Sequence, residues 1–199
     1  MKFTKQTSIH PVIKLSEGCT TLDLSKGYDP EQITAFIDRG GCAAGGYNEK
    51  RPGMYVASHF GNQRNIHMGI DFWAPAGEPV FAMAGGQVAY TANLAAVGNY
   101  GAAVVLKHVI QGKDVFALYG HLSLKSLEKS VPGSEVSAGD TVGWLGEPGE
   151  NGNWPPHLHF QLSYVDPGEA DMPGVVTDED REHALKIYPD PRFFLGPVY

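Results

Sequence analysis

Between residues 54 and 165 the chain breaks into short runs rich in β-branched and aromatic residues, each bounded by glycine turns. Segments 79–83, 87–90, 103–108, 114–119, 141–145 and 157–162 read as strands on this pattern. Helices do not alternate with them, which removes the parallel βαβ architectures. What remains is a mainly β fold: an antiparallel sandwich or open barrel of short strands. The 25 glycines and 14 prolines suit such a turn-rich chain.

Both flanks read differently. Residues 1–54 form an N-terminal extension with one short helix. Asp29 is its expected N-cap, Pro30 its first-turn proline and Gln32 its capping-box partner. Ile33, Phe36 and Ile37 supply its apolar stripe, and Gly40-Gly41 end it. Residues 45–53 read as a loop. At the other end, residues 166–199 read as an insertion and tail packed on the 55–165 core, with Thr177-Asp178-Glu179-Asp180 opening a short helix. Pro189 and Pro191 stop that helix, and Phe193, Phe194 and Leu195 are expected to pin the tail to the body.

A chain of 199 residues with 42% hydrophobic and 19% charged residues can bury one substantial core. Its formal charge of −7 argues against a nucleic-acid partner, which would require a basic surface. No segment has membrane-spanning length, so no membrane partner is expected. The first eight residues lack the apolar run of a secretory signal. The expected location is therefore cytoplasmic, or extracytoplasmic if a leader has been removed. On that reading Cys19 and Cys42 are two reduced thiols, and two cysteines are too few for a cysteine-built zinc site.

Chemistry concentrates in two phrases, His67-Met68-Gly69-Ile70-Asp71 and Pro156-His157-Leu158-His159-Phe160. Gly69 and the nearby Pro75-Ala76-Gly77 argue against a helix for the first. On a strand, positions 67, 69 and 71 would share a face, as would His157 and His159. Ile70, Phe72, Leu158 and Phe160 would then point into the core. Two imidazoles and one carboxylate fill three positions of a tetrahedral zinc and leave the fourth for water. Spacing alone does not choose which histidine of the second phrase is the ligand. His121 ends an apolar strand, where a turn can project it into a cleft. Each element taken singly is more often a hydrogen-bonded core pair or surface chemistry than a metal site. Their joint occurrence on strand ends is what points to metal. His10, His59, His108 and His183 lack such partners and read as structural or exposed. Trp154, Tyr100, Trp73 and Tyr47 are candidates to line a groove.

With these phrases in place, the chain resembles the lysostaphin/LytM-type zinc metallopeptidases, colinearly from Ser58-His59-Phe60-Gly61 through Pro156-His157-Leu158-His159-Phe160. Phe72-Trp73-Ala74-Pro75-Ala76-Gly77, Asn99-Tyr100-Gly101, Tyr119-Gly120-His121-Leu122 and Gly143-Trp144-Leu145-Gly146 fall in order between them. The resemblance implies a duplicated hybrid motif fold with Zn2+ held by His67, Asp71 and His159. It further implies His121 and His157 as the catalytic histidines. The lysostaphin subgroup carries a tyrosine shortly before its first zinc histidine, whereas Gly61-Asn62-Gln63-Arg64-Asn65-Ile66 has none. In some relatives an upstream asparagine silences the metal, and Asn48 is the candidate here, against a plain turn role.

The function this implies is a zinc metalloendopeptidase acting on peptide bonds of peptidoglycan stems or cross-bridges. The alternative is a metal-loaded but non-hydrolytic binding or regulatory domain, which would hold zinc without turnover. An iron oxygenase built on the same His/Asp/His triad would usually space its first pair as His-Xaa-Asp and would have no use for two further imidazoles.

Overall fold

The computed structural model describes residues 8–16, 18–61 and 63–199. The segment 1–7 and the His59 side chain, on which two of the sequence expectations fall, lie outside the described residues. Strands β1 (Thr20–Thr21), β2 (Ala43–Gly45) and β3 (Glu49–Lys50) come from the N-terminal extension, together with helix α1 (Pro30–Asp38). β4 (Ile66–His67), β5 (Ile70–Trp73), β6 (Pro79–Phe81), β7 (Gly86–Leu94), β8 (Gly101–Ile110) and β9 (Lys113–Leu122) follow. Next come α2 (Lys125–Lys129), β10 (Glu135–Val136), β11 (Thr141–Trp144) and β12 (His157–Ser163). β13 (Val175–Val176), α3 (Arg181–Ile187) and α4 (Arg192–Leu195) complete the chain.

Eight strands make one open sheet in the order β1-β2-β5-β12-β9-β8-β7-β10. Its pairings are antiparallel apart from β1 with β2. The β11–β6 pair packs over one face, where Val80, Ala82, Met83, Val142 and Leu145 meet Ile70, Phe72, Val104, Leu106, Leu158 and Phe160 in the main core. The fold is thus mainly β and antiparallel, with no closed barrel. Pleat alternation explains the layering: on β12, Leu158 and Phe160 enter the core while His157, His159 and Gln161 occupy the other face.

Three local expectations are corrected. Residues 67 and 71 do not share a strand. The chain leaves a small sheet (β13-β4-β3) after His67, crosses Met68-Gly69, and enters the main sheet at Ile70. Residues 45–53 are not simply a loop, because the end of β2 and all of β3 lie there; such two- or three-residue strands are set by tertiary pairing rather than by local pattern. And Cys19 and Cys42 are joined in a disulfide, with Cα atoms 4.8 Å apart, instead of being reduced thiols. Parallel pairing of Thr20 with Ala43 and of Thr21 with Ala44 places the two cysteines side by side at the start of that ladder.

The helices follow their signals. Asp29 caps α1, accepting from the Gln32 backbone at 3.0 Å and from its side-chain amide at 2.7 Å, and Ile33 and Ile37 are buried. α3 opens after the Thr177–Asp180 turn. In the tail Phe194 and Leu195 pack on the core, whereas Phe193 is 80% exposed and pins nothing.

Candidate metal centre and active site

β12 lies between β5 and β9, and this placement assembles the site. Its ladder sets His159 opposite Asp71 on one side and opposite Gly120 on the other. His157 stands opposite Trp73 and stacks on its ring, centroids 5.9 Å apart. His67 arrives from the small sheet, one turn of chain before β5. The crossing at Gly69 needs glycine: a Cβ there would sit 2.6 Å from His159 Cε1 and 2.8 Å from the Phe160 carbonyl. His121 projects from a bulge in β9, where the β8–β9 register shifts, with φ at +61°. A non-glycine residue in that region marks a locally strained backbone of the kind that gathers at functional sites.

Three donor atoms converge. His67 Nε2 and His159 Nδ1 are 2.8 Å apart, and each lies 3.2 Å from Asp71 Oδ1. All three residues are buried. A tetrahedral zinc with bonds of about 2.0–2.1 Å separates its ligand atoms by roughly 3.3 Å, close to the edges of this triangle.

Protons on these rings are assigned from the hydrogen-bond network. His67 Nδ1 faces the Gly46 carbonyl at 2.9 Å and must donate to it, which leaves Nε2 bare. Gln161 turns its amide nitrogen toward the Pro173 carbonyl, so its Oε1 accepts from His159 Nε2 at 2.9 Å and His159 Nδ1 is bare. Two lone pairs and an anionic oxygen therefore point at one another with no proton to share. Such a donor set fits a divalent cation. It is also the outer-shell arrangement in which a carbonyl or amide oxygen fixes the tautomer of a metal-binding imidazole.

The further two histidines are clamped in the same way. His121 Nδ1 donates to the Asn151 carbonyl at 2.8 Å, and His157 Nδ1 to the Pro155 carbonyl at 2.7 Å. Their rings lie 4.2 Å apart, and His157 Nε2 is 3.8 Å from Asp71 Oδ1. Burial and then the Arg51 charge lower the His67 pKa to about 4, so this imidazole is neutral at pH 7. Burial, followed by the neighbouring imidazoles, holds His121 well below its ordinary value, and burial lowers His157. Burial alone would raise the Asp71 carboxyl. The Arg51 guanidinium, which donates to Oδ2, opposes this, and the carboxyl is held well below the usual carboxylate range.

These five residues line a cleft of about 580 Å³. Tyr100 and Trp154 form part of its wall, as do Tyr55 and Phe60. Trp73 lies buried behind His157, and Tyr47 is occupied elsewhere, its hydroxyl bonded to the Tyr188 carbonyl. Asn48 takes no part: its side chain accepts from Arg181 Nε at 2.8 Å, and its φ of +56° marks the turn role. Among the excluded histidines, His183 is exposed, while His10 and His108 each donate to a single backbone carbonyl and join no cluster of metal-capable groups among the described residues.

Sequence reasoning missed several contributors. Arg51 is fully buried against Asp71, and Tyr55 reaches the cleft from well upstream of the stretch where a tyrosine was sought. Gln161 and Asn151 were not singled out either. Gln161 carried a usable signal, since it follows His157 and His159 on the same strand face. Asn151 carried none, because it acts from an irregular loop.

Residues 65–171 match Peptidase family M23, a span that contains all five residues of the site. The DD-carboxypeptidase/endopeptidase Mpg of Neisseria meningitidis is 33% identical over 126 residues, covering 59% of this chain and 26% of that protein. The peptidoglycan DD-endopeptidase ShyA of Vibrio cholerae is 38% identical over 96 residues, 48% of this chain and 20% of that protein. The chain thus spans about a quarter or less of the length of these two relatives. Among solved structures, the catalytic domain of the M23 protein EnpA from Enterococcus faecalis aligns with a TM-score of 0.46 at 26% identity, over 68% of this chain and 86% of that one. With more than half of its residues, and its whole donor set, inside the family match, the chain belongs to peptidase family M23, a family of zinc metallopeptidases.

Proposed function

We propose that the protein is a zinc-dependent metalloendopeptidase that hydrolyses peptide bonds in peptidoglycan stems or cross-bridges. The observation that carries this reading is the meeting of His67 Nε2, Asp71 Oδ1 and His159 Nδ1 at 2.8–3.2 Å, with two more neutral imidazoles in the same cleft. The names of its relatives in Neisseria and Vibrio support the substrate class.

His67, Asp71 and His159 would hold the metal. Zinc bound there supplies a Lewis acid and brings the pKa of a coordinated water down to about 7. The chain supplies the rest. His121 and His157 present bare Nε2 atoms, because both Nδ1 protons are spent on backbone carbonyls. Either ring can take a proton from the attacking nucleophile. The resulting imidazolium can then stabilise charge on the peptide oxygen or return the proton to the leaving amine. Trp73 behind His157 and the Asn151 loop behind His121 keep both rings from turning away. The aromatic walls limit water around the scissile bond.

The Cys19–Cys42 disulfide supports an oxidising, extracytoplasmic location over the cytoplasmic one, since such bonds persist outside reducing compartments.

The test is incubation with purified peptidoglycan of several bridge chemistries, with and without chelator, read by mass spectrometry. New amino termini that vanish with chelator are expected. Stoichiometric zinc in a folded protein that cleaves nothing across the panel would instead establish the non-hydrolytic binding domain.

A further inference from the structure

A guanidinium buried beside a cation-binding site is an unusual expense of charge, and Arg51 is fully buried. Glu49 and Arg51 stand two apart on and just after β3, so their side chains share a face, while Lys50 turns outward to Asp178. Arg51 Nε donates to Glu49 Oε2 at 2.6 Å, and Nη1 donates to Asp71 Oδ2 at 2.6 Å and to the Tyr55 hydroxyl at 3.1 Å. The β2–β3 turn is fitted around this side chain. Gly46 has φ +101°, and a Cβ there would overlap Arg51 Nη2 and crowd His67 Nδ1. The Gly46 carbonyl, in turn, accepts the hydrogen bond from His67 Nδ1. One turn therefore grips both the first metal-site histidine and the arginine.

The two oxygens of Asp71 are thereby divided. Oδ2 belongs to Arg51, while Oδ1 faces His67, His159 and, at 3.8 Å, His157. From this division we infer that Arg51 is a positioning residue: it restricts Asp71 to a single metal-facing oxygen and adds a positive charge behind the centre. The inference rests on the metal-site reading above. The charge argument is direct. With neutral imidazoles, Asp71, Glu49 and Arg51 sum to −1, and without Arg51 to −2. Arg51 thus leaves a bound dication one unit less neutralised, favouring an electrophilic centre over maximal affinity. A freed Asp71 could offer both oxygens and occupy a position that substrate needs.

The test compares the full chain with Arg51→Met and with the pair Glu49→Gln/Arg51→Met, which restores the wild-type net charge of the site. Each is loaded with Co2+ for its visible spectrum, titrated with Zn2+ against a competing chelator, and melted metal-free. The expected result is a cobalt spectrum shifted toward higher coordination in both variants. Zinc affinity should be retained or raised in the single variant, and kcat/KM should fall by about 10–100-fold, the usual size of an outer-shell effect. Unchanged cobalt spectra would overturn the proposal. So would parallel losses of zinc affinity and activity. The double variant removes the Glu49 charge along with that of Arg51, leaving Asp71 as the one buried charge of the three, and is the one read if the single variant melts without cooperativity. If neither folds, Arg51 only holds the fold, and that outcome also overturns the proposal. A wild-type chain that binds neither metal would instead defeat the metal-site reading, independently of Arg51.

Discussion

Two regions build this site by different rules. The β5–β12–β9 ladder carries Asp71, His157 and His159, placed by pleat alternation and register, and His121, placed by the bulge at the end of β9. The segments around it, 46–55 with the short β3, 146–156 and 172–174, carry the groups that orient those side chains. These are the Gly46, Asn151, Pro155 and Pro173 carbonyls, with Arg51 behind Asp71. The ladder supplies identity and the loops supply orientation. Functional groups on the ladder should therefore be individually indispensable, while loop groups should act in graded fashion through their neighbours.

The sharpest attempt to break that comparison is His157→Ala. The ring it removes lies outside the donor triangle, so zinc should remain bound with near-wild-type affinity. Hydrolysis should fall by about 10²–10⁴-fold, the range of a lost acid–base group. Zinc titration and muropeptide turnover on the same preparation decide it. Full activity would remove His157 from the chemistry, and lost zinc would move it into the coordination set.

The division also explains what was legible in the sequence. The strands from β5 to β12 could be read because alternating apolar residues between glycines have only one physical use. His-Xaa-His on a strand put His157 and His159 on one face whatever the rest of the fold does, while the set of five and their roles came only from the family resemblance. The His67–Asp71 spacing suggested one shared strand face, whereas the two residues sit in different sheets joined across Gly69 and still converge. Arg51 was invisible because its role depends on a contact with Asp71 across twenty residues and on a turn that only Gly46 can make. Backbone carbonyls carry no side-chain signature, so Gly46, Asn151 and Pro155 could not announce what they accept. The disulfide was missed because β1 and β2 meet only by tertiary pairing, and no local pattern brings Cys19 to Cys42.

The disulfide offers a second test, from the outer edge of the sheet. Closing a loop of sequence separation 23 should contribute about 3 kcal/mol by restricting the unfolded chain. The double variant Cys19→Ser/Cys42→Ser should lose about that much in denaturant unfolding. Zinc affinity and kcat/KM should hold in whatever fraction stays folded, because the β5 ladder and the Gly46 turn lie beyond the link. A collapse of zinc affinity with the bond would show that edge and centre are one cooperative unit.

Asn151 tests the loop side with a smaller effect. Its buried side chain donates to the Gly146 and Trp154 carbonyls at 3.1 Å and accepts from the Trp154 backbone at 3.0 Å, while its own carbonyl holds His121. Asn151→Ala should loosen the loop and cut kcat/KM by about 10–100-fold. Zinc binding should be untouched, because His67, Asp71 and His159 are held by Gly46, Arg51 and Gln161, outside that loop. Loss of zinc would erase the distinction between ladder and loop.

The finest test uses a histidine outside the site. His108 sits fully buried on β8 with Nδ1 on the Gly85 carbonyl at 3.1 Å and no partner at Nε2 among the described residues. It has the same carbonyl clamp as the site histidines, yet no donors converge on it. Burial lowers its pKa from the ordinary 6.5. The native state therefore holds it neutral, while the unfolded chain gains a proton as the pH falls through 6.5. Its contribution is fully present above 6.5 and is lost as the pH drops toward the lower folded value, by at most about 1.4 kcal/mol per pH unit. His108→Phe keeps a ring in place and removes the titration. Metal-free unfolding at pH 7.5 and at pH 5.5 should then show a shallower acid loss for the variant than for the parent chain. Zinc affinity at pH 7.5 should be the same for both. Equal acid losses would mean that His108 contributes nothing to the pH dependence over this range, and that a carbonyl clamp on a buried ring has no consequence of its own.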